Sequence, residues 1–210
     1  MTKPSFSEES KLWAANINFV IGIDEVGRGA FAGPIVAAGV VFNPKIKLEL
    51  LTEVNDSKLI KPRLREELSE IIKANSIWAI ESVEIDYINK FGIGKANSAV
   101  FRKVIRKILL ELGTSHYFVL IDGFHKKYMP GGLKKQKGIV RGDRKSLSIA
   151  AASILAKVYR DDLMRKESSN YPNYLFAKNK GYGTLEHRNA IKLNGLCDIH
   201  RTSFDLNKFL

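Results

Sequence analysis

Carboxylates stand at the ends of apolar, strand-like runs in three separate parts of this sequence. The four acids are Asp24, Glu25, Asp122 and Asp143. An unpaired charge at the end of a buried strand costs several kcal/mol, so a cation or a basic partner must compensate it. Carboxylate oxygens without histidine or cysteine are the ligands that Mg²⁺ and Mn²⁺ prefer. Two such ions about 4 Å apart can hydrolyse a phosphodiester, so the set is typical of a metal-dependent nuclease.

Three of these acids also have an ordinary structural interpretation. Asp24 and Glu25 could form a surface pair in a tight hairpin, because glycines follow closely. Successive side chains of a regular strand face opposite ways, so this pair shares one site only if the strand ends, bends or bulges there. Asp143 could be an acid that is favoured by the dipole of the helix following it.

Positive charge is concentrated in the second part of the chain. Residues 1–122 carry 16 Lys and Arg against 15 Asp and Glu, and residues 123–210 carry 18 against 7. A basic surface attracts a polyanion, whereas an acid cluster repels one unless metal ions neutralise it. This contrast favours a nuclease over a merely soluble basic protein. The basic residues expected to contact phosphates are Lys126, Lys127, Lys134, Lys135 and Lys137.

Composition argues against several other classes of protein. Cys197 is the single cysteine, so the chain forms neither an internal disulfide nor a cysteine-based metal cluster. Residues 1–11 are polar, and the longest uncharged apolar run, 29–42, is short and contains a proline. We therefore expect neither a secretory signal nor a membrane span, but a cytoplasmic protein. The sequence contains neither the glycine spacing of a dinucleotide-binding loop nor the Gly-Lys-Ser/Thr pattern of a phosphate-binding loop, so a nucleotide cofactor is not expected.

Hydrophobic periodicity predicts an α/β fold, with a mixed central sheet flanked by helices and a C-terminal helical region. Strands are predicted at residues 19–24, 35–42, 77–85, 116–121 and 139–140, and helices at 6–16, 62–74, 95–112, 146–167 and 185–193. We divide the chain into an N-terminal segment 1–18, a catalytic domain 19–168 and a helical region 169–210 that packs on the same domain.

The glycine-rich run after the first acid pair resembles the signature of ribonuclease HII. It contains Asp24-Glu25-Val26-Gly27-Arg28-Gly29, followed by Ala32-Gly33-Pro34. Ala30 and Phe31 stand where the family pattern has a proline and a leucine, so the shape of this loop is expected to differ. Further motifs of the family are Asn55-Asp-Ser-Lys58, Leu120-Ile-Asp-Gly123, Gly142-Asp143, Ser148-Ile-Ala-Ala-Ala-Ser-Ile-Leu-Ala-Lys157 and His200-Arg-Thr-Ser-Phe204. The ordered set spans nearly the whole chain.

The resemblance implies a ribonuclease H-like fold and an activity. It implies an endonuclease that cleaves the RNA strand of RNA–DNA hybrids and cuts 5′ of ribonucleotides embedded in duplex DNA. The products would be 3′-hydroxyl and 5′-phosphate ends, and the four acids would be catalytic ligands of Mg²⁺ or Mn²⁺. The implied substrate-binding residues are Gly27, Arg28 and Gly29 at the 2′-hydroxyl, Tyr182 at the ribose–deoxyribose junction, and Lys58 and Lys157.

Other polar residues receive supporting roles. Asp161 lies one helical turn after Lys157 and two turns after Ser153, so these three share a face that we interpret as support for the acids. The histidines divide into two that we expect to face substrate, His125 and His187, and two that we expect to be structural, His116 and His200.

The sequence argues against one relative of this family and leaves two other classes of protein open. Ribonuclease HIII resembles the catalytic part but has an extra N-terminal domain, for which Asp24 comes too early. A non-catalytic nucleic-acid-binding module explains the charge but leaves the acids unexplained. A resolvase-type nuclease of the same broad fold would share the acids but cut branched DNA. We expect a monomer without membrane association, and residues 205–210 carry no convincing pattern for binding a sliding clamp.

Overall fold

A single five-stranded sheet forms the centre of the protein, and its strand order is β3-β2-β1-β4-β5. The computed structural model describes residues 3–206 and 209. The strands are β1 Phe19–Val26, β2 Ile35–Phe42, β3 Ser76–Val83, β4 Tyr117–Asp122 and β5 Gln136–Ile139. Strands β1, β2 and β3 are antiparallel neighbours, whereas β4 pairs in parallel with both β1 and β5. The predicted mixed sheet is confirmed.

Helices cover both faces of this sheet and extend the chain beyond it. They are α1 Ser7–Ala14, α2 Pro62–Ala74, α3 Ile85–Phe91, α4 Ile93–Leu112, α5 Leu147–Asn170, α6 Phe176–Asn179 and α7 Leu185–Asn194. The bounds of α2 and β2 are those predicted, but the third strand ends at Val83 and α3 follows. Helix α3 has seven residues, which is too short for a helical hydrophobic period to be recognised in the sequence.

Strand β1 divides its side chains between two hydrophobic cores. Ile21 and Ile23 pack with the buried stripe of α4, which includes Val100 and Val104. On the opposite face α5 lies so close that a side chain at Gly22 would overlap the backbone of Ser148. Burial on both faces explains why β2, between β1 and β3, is an uninterrupted apolar run. The acids at the end of β1 therefore stand on a rigid support.

Both ends of the described chain pack onto this three-layer unit. Glu9 of α1 is fully buried and accepts hydrogen bonds from the Ser146 hydroxyl at 2.6 Å and the Ser148 N–H at 2.9 Å, where α5 begins. A further apolar cluster joins Ala32 in the loop after β1 to residues of α5, α6 and α7 such as Met164. None of the helices within residues 3–206 and 209 is long and apolar enough to span a lipid bilayer.

Candidate active site

The parallel pairing of β1 and β4 brings two acids to the same level. Ile23 pairs with Ile121, so Asp24 and Asp122 are the next residues on adjacent strands. Side chains at the carboxyl ends of parallel strands meet at one edge of a sheet, where α/β proteins tend to bind ligands. The sheet, and not the local sequence, thus joins two acids that are almost a hundred residues apart.

Strand β5 adds the third segment of the site. Asp122 pairs with Ile139 at the end of β5, so the chain that leaves β5 passes beside the Asp122 carboxylate. The Gly142 N–H donates a hydrogen bond to Asp122 Oδ1 at 2.6 Å. Asp143 follows within the 3₁₀ turn Gly142–Arg144, and its pKa responds to the charge of Asp122.

Glu25 reaches the same cavity by a route that the sequence did not predict. Strand β1 neither ends nor bulges at the acid pair: Asp24 pairs with Ala38 and Glu25 with Ala37 in regular register. Their side chains leave opposite faces of the sheet. Strand β1 continues to Val26, but its pairing with β4 stops at Ile23, so the edge of β1 beside Asp24 and Glu25 has no neighbouring strand on that side. The cavity extends around this free edge, and both side chains therefore line it.

The four acids line one cavity of about 400 Å³ together with most of the predicted substrate-binding residues. Its lining consists of Asp24, Glu25, Val26, Arg28, Ser57, Lys58, Asp122, Asp143, Ser153, Lys157 and Tyr182. Of the predicted set, Gly27 and Gly29 lie outside this lining but flank Arg28 in sequence. A larger cavity of about 600 Å³ lies at the opposite end of the sheet, around Asn18, Phe19 and Asn75, and contains no acid.

Burial and mutual repulsion make the charged forms of these acids costly. Asp24 is 6% exposed, and burial, followed by the charges of Asp122 and Glu25, raises its pKa well above the usual range. Burial also raises the pKa of Glu25, while Lys126 opposes that shift. Burial and then Asp122 raise the pKa of Asp143. The chain's own groups therefore leave part of this negative charge uncompensated.

The donor set fits a hard divalent cation. The available ligands are carboxylate oxygens, and a nearby dication would stabilise their charged forms against the burial and the mutual repulsion that raise these pKa values. Within the described part of the chain, no group of three or more acidic, histidine or cysteine side chains lies close enough together to hold a metal ion by itself. Mg²⁺ usually keeps several water or phosphate ligands and needs only one or two carboxylates, so an open arrangement is compatible with it.

The glycine loop after β1 meets Tyr182 across 155 residues of sequence. The Gly27 N–H donates a hydrogen bond to Tyr182 Oη at 3.2 Å. The Arg28 side chain is 59% exposed, with Nη1 3.9 Å from Glu25 Oε1. A Cβ at Gly29 would meet no atom within 4 Å, so the loop backbone is open to a ligand at this point.

Arg160 of α5 supports both the glycine loop and the tyrosine. This residue is fully buried and donates hydrogen bonds to the carbonyls of Ala32, Pro34 and Lys180 at 2.8–3.1 Å. Its guanidinium carbon lies 5.4 Å from the centre of the Tyr182 ring. Because Arg160 covers one face of the ring, a substrate can stack only on the other face.

The two lysines predicted to bind substrate differ in their surroundings. Lys58 is exposed at the cavity, and its charge opposes the rise in the pKa of Asp143 that burial and Asp122 cause. Lys157 donates a hydrogen bond to Asp161 Oδ1 at 2.7 Å, and Arg65 lies 3.5 Å from the other oxygen of Asp161. Asp161, which is not part of the cavity lining, is therefore held by two cations, which agrees with a supporting role.

Part of the basic loop is occupied by contacts within the protein. Lys137 forms an ion pair with Glu8 of α1, and Lys135 donates a hydrogen bond to the Ser115 carbonyl. Lys127 and Lys134 are exposed, and the charge of Lys126 acts on Glu25. These last three lysines are the better placed to contact phosphates.

Asn97 was not predicted from the sequence, and His187 was predicted in the wrong environment. Asn97 is 1% exposed and lies close enough to Glu25 to oppose the rise in the pKa of that carboxyl, although within the described residues its amide atoms form no hydrogen bond of regular geometry. A detectable signal existed, because Asn97 is a polar residue on the apolar stripe that continues through Val100 and Val104. The expectation that His187 faces substrate is wrong, since its side chain is fully buried.

Comparison with known proteins assigns the family. A model of the family described as Ribonuclease HII matches residues 21–207. The chain belongs to the ribonuclease HII family. The ribonuclease HII of Caldanaerobacter subterraneus subsp. tengcongensis is 44% identical over 197 residues, which cover 93% of this chain and 78% of that protein. The ribonuclease HII of Caldicellulosiruptor bescii is 41% identical over 200 residues, 95% of this chain and 92% of that one. The protein is accordingly a metal-dependent endonuclease with ribonuclease H activity.

Solved structures confirm the fold. The ribonuclease H2 of Pyrococcus horikoshii aligns with a TM-score of 0.69 at 22% identity, over 91% of this chain and 96% of that one. A ribonuclease HII from Archaeoglobus fulgidus, solved in complex with PCNA, gives a TM-score of 0.69 at 24% identity, over 87% and 92%. A Bst ribonuclease HIII, solved with Mn²⁺, gives a TM-score of 0.71 at 18% identity, over 91% of this chain and 68% of that one.

Proposed function

We propose that the protein hydrolyses the RNA strand of RNA–DNA hybrids and cuts on the 5′ side of ribonucleotides embedded in duplex DNA. The ends would be a 3′-hydroxyl and a 5′-phosphate. The observation that carries the proposal is the meeting, in one cavity, of four carboxylates with the exposed Arg28 and with Tyr182. Membership of the ribonuclease HII family supports it independently.

In this proposal Asp24, Glu25, Asp122 and Asp143 hold Mg²⁺ or Mn²⁺, with two ions during the reaction. The bound ions would activate the attacking water and stabilise the leaving oxygen. The protein's own contribution is to fix the acids: Gly142 orients the Asp122 carboxylate, and the sheet sets the distance between Asp24 and Asp122. The raised pKa values of three of these acids support cation binding, because a cation would offset the cost of burying their charges and the repulsion between them.

Substrate selection is assigned to the glycine loop and the tyrosine. Backbone groups at Gly27, Arg28 and Gly29 would contact the 2′-hydroxyl, which distinguishes RNA from DNA. The free face of Tyr182 would pack on the sugar at the ribose–deoxyribose junction, and Lys58 and Lys157 would bind the substrate backbone. The open space at Gly29 supports a close backbone contact there.

We further propose that residues 19–168 form the catalytic domain, with residues 1–18 and 169–210 packed on it in a monomer. Buried Glu9 and the cluster around Met164 support this packing. Binding of a sliding clamp receives no support from the C-terminal sequence, in which residues 207, 208 and 210 lie outside the described structure.

The proposal is tested with end-labelled duplex DNA that contains one ribonucleotide, incubated with Mg²⁺, Mn²⁺ or EDTA beside an all-DNA duplex. We expect metal-dependent cleavage 5′ of the ribonucleotide and an intact control. A duplex that binds but stays whole in both metals would favour a non-catalytic binding module. Cleavage of the all-DNA duplex, or of branched DNA, would favour a nuclease without a 2′-hydroxyl requirement.

A further inference from the structure

Two buried histidines lie behind Tyr182, outside the cavity that holds the acids. His187 of α7 is fully buried and His200 is 1% exposed, and their Nε2 atoms are 3.0 Å apart. The proposed chemistry uses neither ring. Buried polar groups are retained where their hydrogen bonds are complete, so the direction of these bonds indicates what the pair does.

The partners of the outer ring nitrogens determine where the protons lie. His187 Nδ1 is 2.9 Å from the Tyr182 carbonyl oxygen, which can only accept, so His187 carries its proton on Nδ1. Its bare Nε2 then accepts from His200 Nε2–H. The bare Nδ1 of His200 in turn accepts from the Cys197 N–H at 2.9 Å. One continuous chain of hydrogen bonds runs from Cys197 to the Tyr182 backbone.

The surroundings keep both rings neutral. The Tyr174 ring lies 4.9 Å from the His200 ring, and the Phe176 ring lies 5.3 Å from the His187 ring, centre to centre. Burial, and then the neighbouring His187, lowers the pKa of His200 to about 4. Burial lowers the pKa of His187 as well. With neutral rings, this proton arrangement gives one donor and one acceptor to each of the three hydrogen bonds between the Cys197 N–H and the Tyr182 carbonyl. The Cys197 carbonyl, which also lies 3.2 Å from His200 Nδ1, accepts from the His200 backbone N–H instead.

Tyr182 is consequently fixed at its backbone as well as at its side chain. Its hydroxyl accepts from the Gly27 N–H, and Arg160 covers one face of its ring. The next residue, Gly183, lies so close to the Phe31 ring that a Cβ there would overlap it. The Tyr182 N–H donates a hydrogen bond to the Asn179 carbonyl, and the Tyr182 carbonyl accepts one from the Thr184 N–H at 2.8 Å. His187 adds a second donor, from a side chain, to that carbonyl.

We propose that His187 and His200 are positioning residues for substrate binding: they hold the Tyr182 backbone so that the ring meets the sugar at the cleavage junction. The substrate part of this inference rests on the proposed function. Loss of the hydrogen bond to the Tyr182 carbonyl should weaken the substrate complex roughly tenfold. It should change kcat little, because neither histidine lines the cavity that holds the carboxylates.

The hydrogen-bond chain is tested without any substrate, by ¹⁵N NMR of the histidine rings in the full-length protein near neutral pH. We expect His187 as the Nδ1–H tautomer and His200 as the Nε2–H tautomer. The opposite tautomer in His187, or a protonated ring in either residue, would overturn the proposed chain.

The positioning role is tested by steady-state kinetics on an RNA–DNA hybrid. His187→Ala should raise KM roughly tenfold, whereas His187→Asn keeps an N–H near the Nδ1 position and should restore most of the affinity. In a Tyr182→Ala background, His187→Ala should have no further effect on KM. The exposed His116, which contacts the Asn16 carbonyl, provides the control His116→Ala, for which we expect unchanged KM.

Additive effects of the Tyr182 and His187 substitutions, or absence of rescue by asparagine, would overturn the positioning role. If His187→Ala does not fold, the KM values of His200→Gln and His200→Leu are compared instead. Glutamine keeps an N–H donor toward His187 and leucine does not, so His200→Gln should have the lower KM. Wild-type protein that leaves the hybrid intact would refute the proposed function and the substrate role with it. The NMR result would still decide the hydrogen-bond chain in that case.

Discussion

Gly27→Ala should destabilise the protein far more than the neighbouring substitution Gly29→Ala. Gly27 has a φ of +91°, and a Cβ there would overlap the guanidinium of Arg160. The end of an arginine side chain usually moves cheaply, but this one is fully buried and held by three carbonyls. The clash therefore disrupts hydrogen bonds that hold the glycine loop to α5.

The magnitude follows from two contributions. Alanine at positive φ costs roughly 1–2 kcal/mol. Losing one hydrogen bond from the buried Arg160 costs roughly 1.5–3 kcal/mol, because the donor is charged. We therefore expect Gly27→Ala to lower the free energy of unfolding by about 3–5 kcal/mol. Gly29→Ala meets no atom within 4 Å and should change it by less than about 0.5 kcal/mol.

The assay is urea unfolding followed by far-UV circular dichroism, with the wild type and both variants at one pH and salt concentration. Hybrid binding is measured on the same samples, and Gly29→Ala should weaken it although the fold is intact. A Gly27→Ala variant within about 1 kcal/mol of wild type would refute the account of Arg160 as a fixed support. Equal losses in both variants would refute it too.

Three further perturbations test the site and its support. Asp122→Asn should lower cleavage at least roughly a hundredfold while hybrid binding in a filter assay stays near the wild-type level, because it removes a metal ligand and leaves the basic surface; full activity would exclude Asp122 from the site. Glu9→Ala should lower the unfolding free energy by roughly 2–4 kcal/mol in urea, since it leaves buried donors at the start of α5 unpaired. The adjacent surface variant Glu8→Ala should cost less than about 1 kcal/mol, and equal effects would contradict the burial argument. Burial lowers the pKa of His200 in the folded protein to about 4, below the usual 6.5. The contribution of this neutral ring to the free energy of unfolding is therefore fully present above pH 6.5, and up to about 3 kcal/mol of it is lost as the pH falls toward 4. Urea unfolding at pH 7.5 and 4.5 should show a smaller loss of unfolding free energy for His200→Asn than for the wild type. An equal loss in both proteins would refute this role of His200.

The sequence determined the elements whose pattern is local. Strand β2 and helix α2 have the predicted bounds because their signals lie within a few residues. Strand β2 is an uninterrupted apolar run, and α2 begins at Pro62 and carries apolar residues at helical spacing. The same locality identified the four acids, each placed where an apolar run stops. It also assigned the family, since the ordered motifs stand in the sequence itself.

Only the tertiary structure decided how distant groups meet. The sequence suggested that β1 must end or bend for Asp24 and Glu25 to share a site, but β1 stays regular and its edge is left free where β4 stops. Tyr182 meets Gly27 across 155 residues, over a buried arginine that no local pattern marks. Strand order and helix docking set these contacts, and both depend on the free energy of the whole chain, so no window of sequence encodes them.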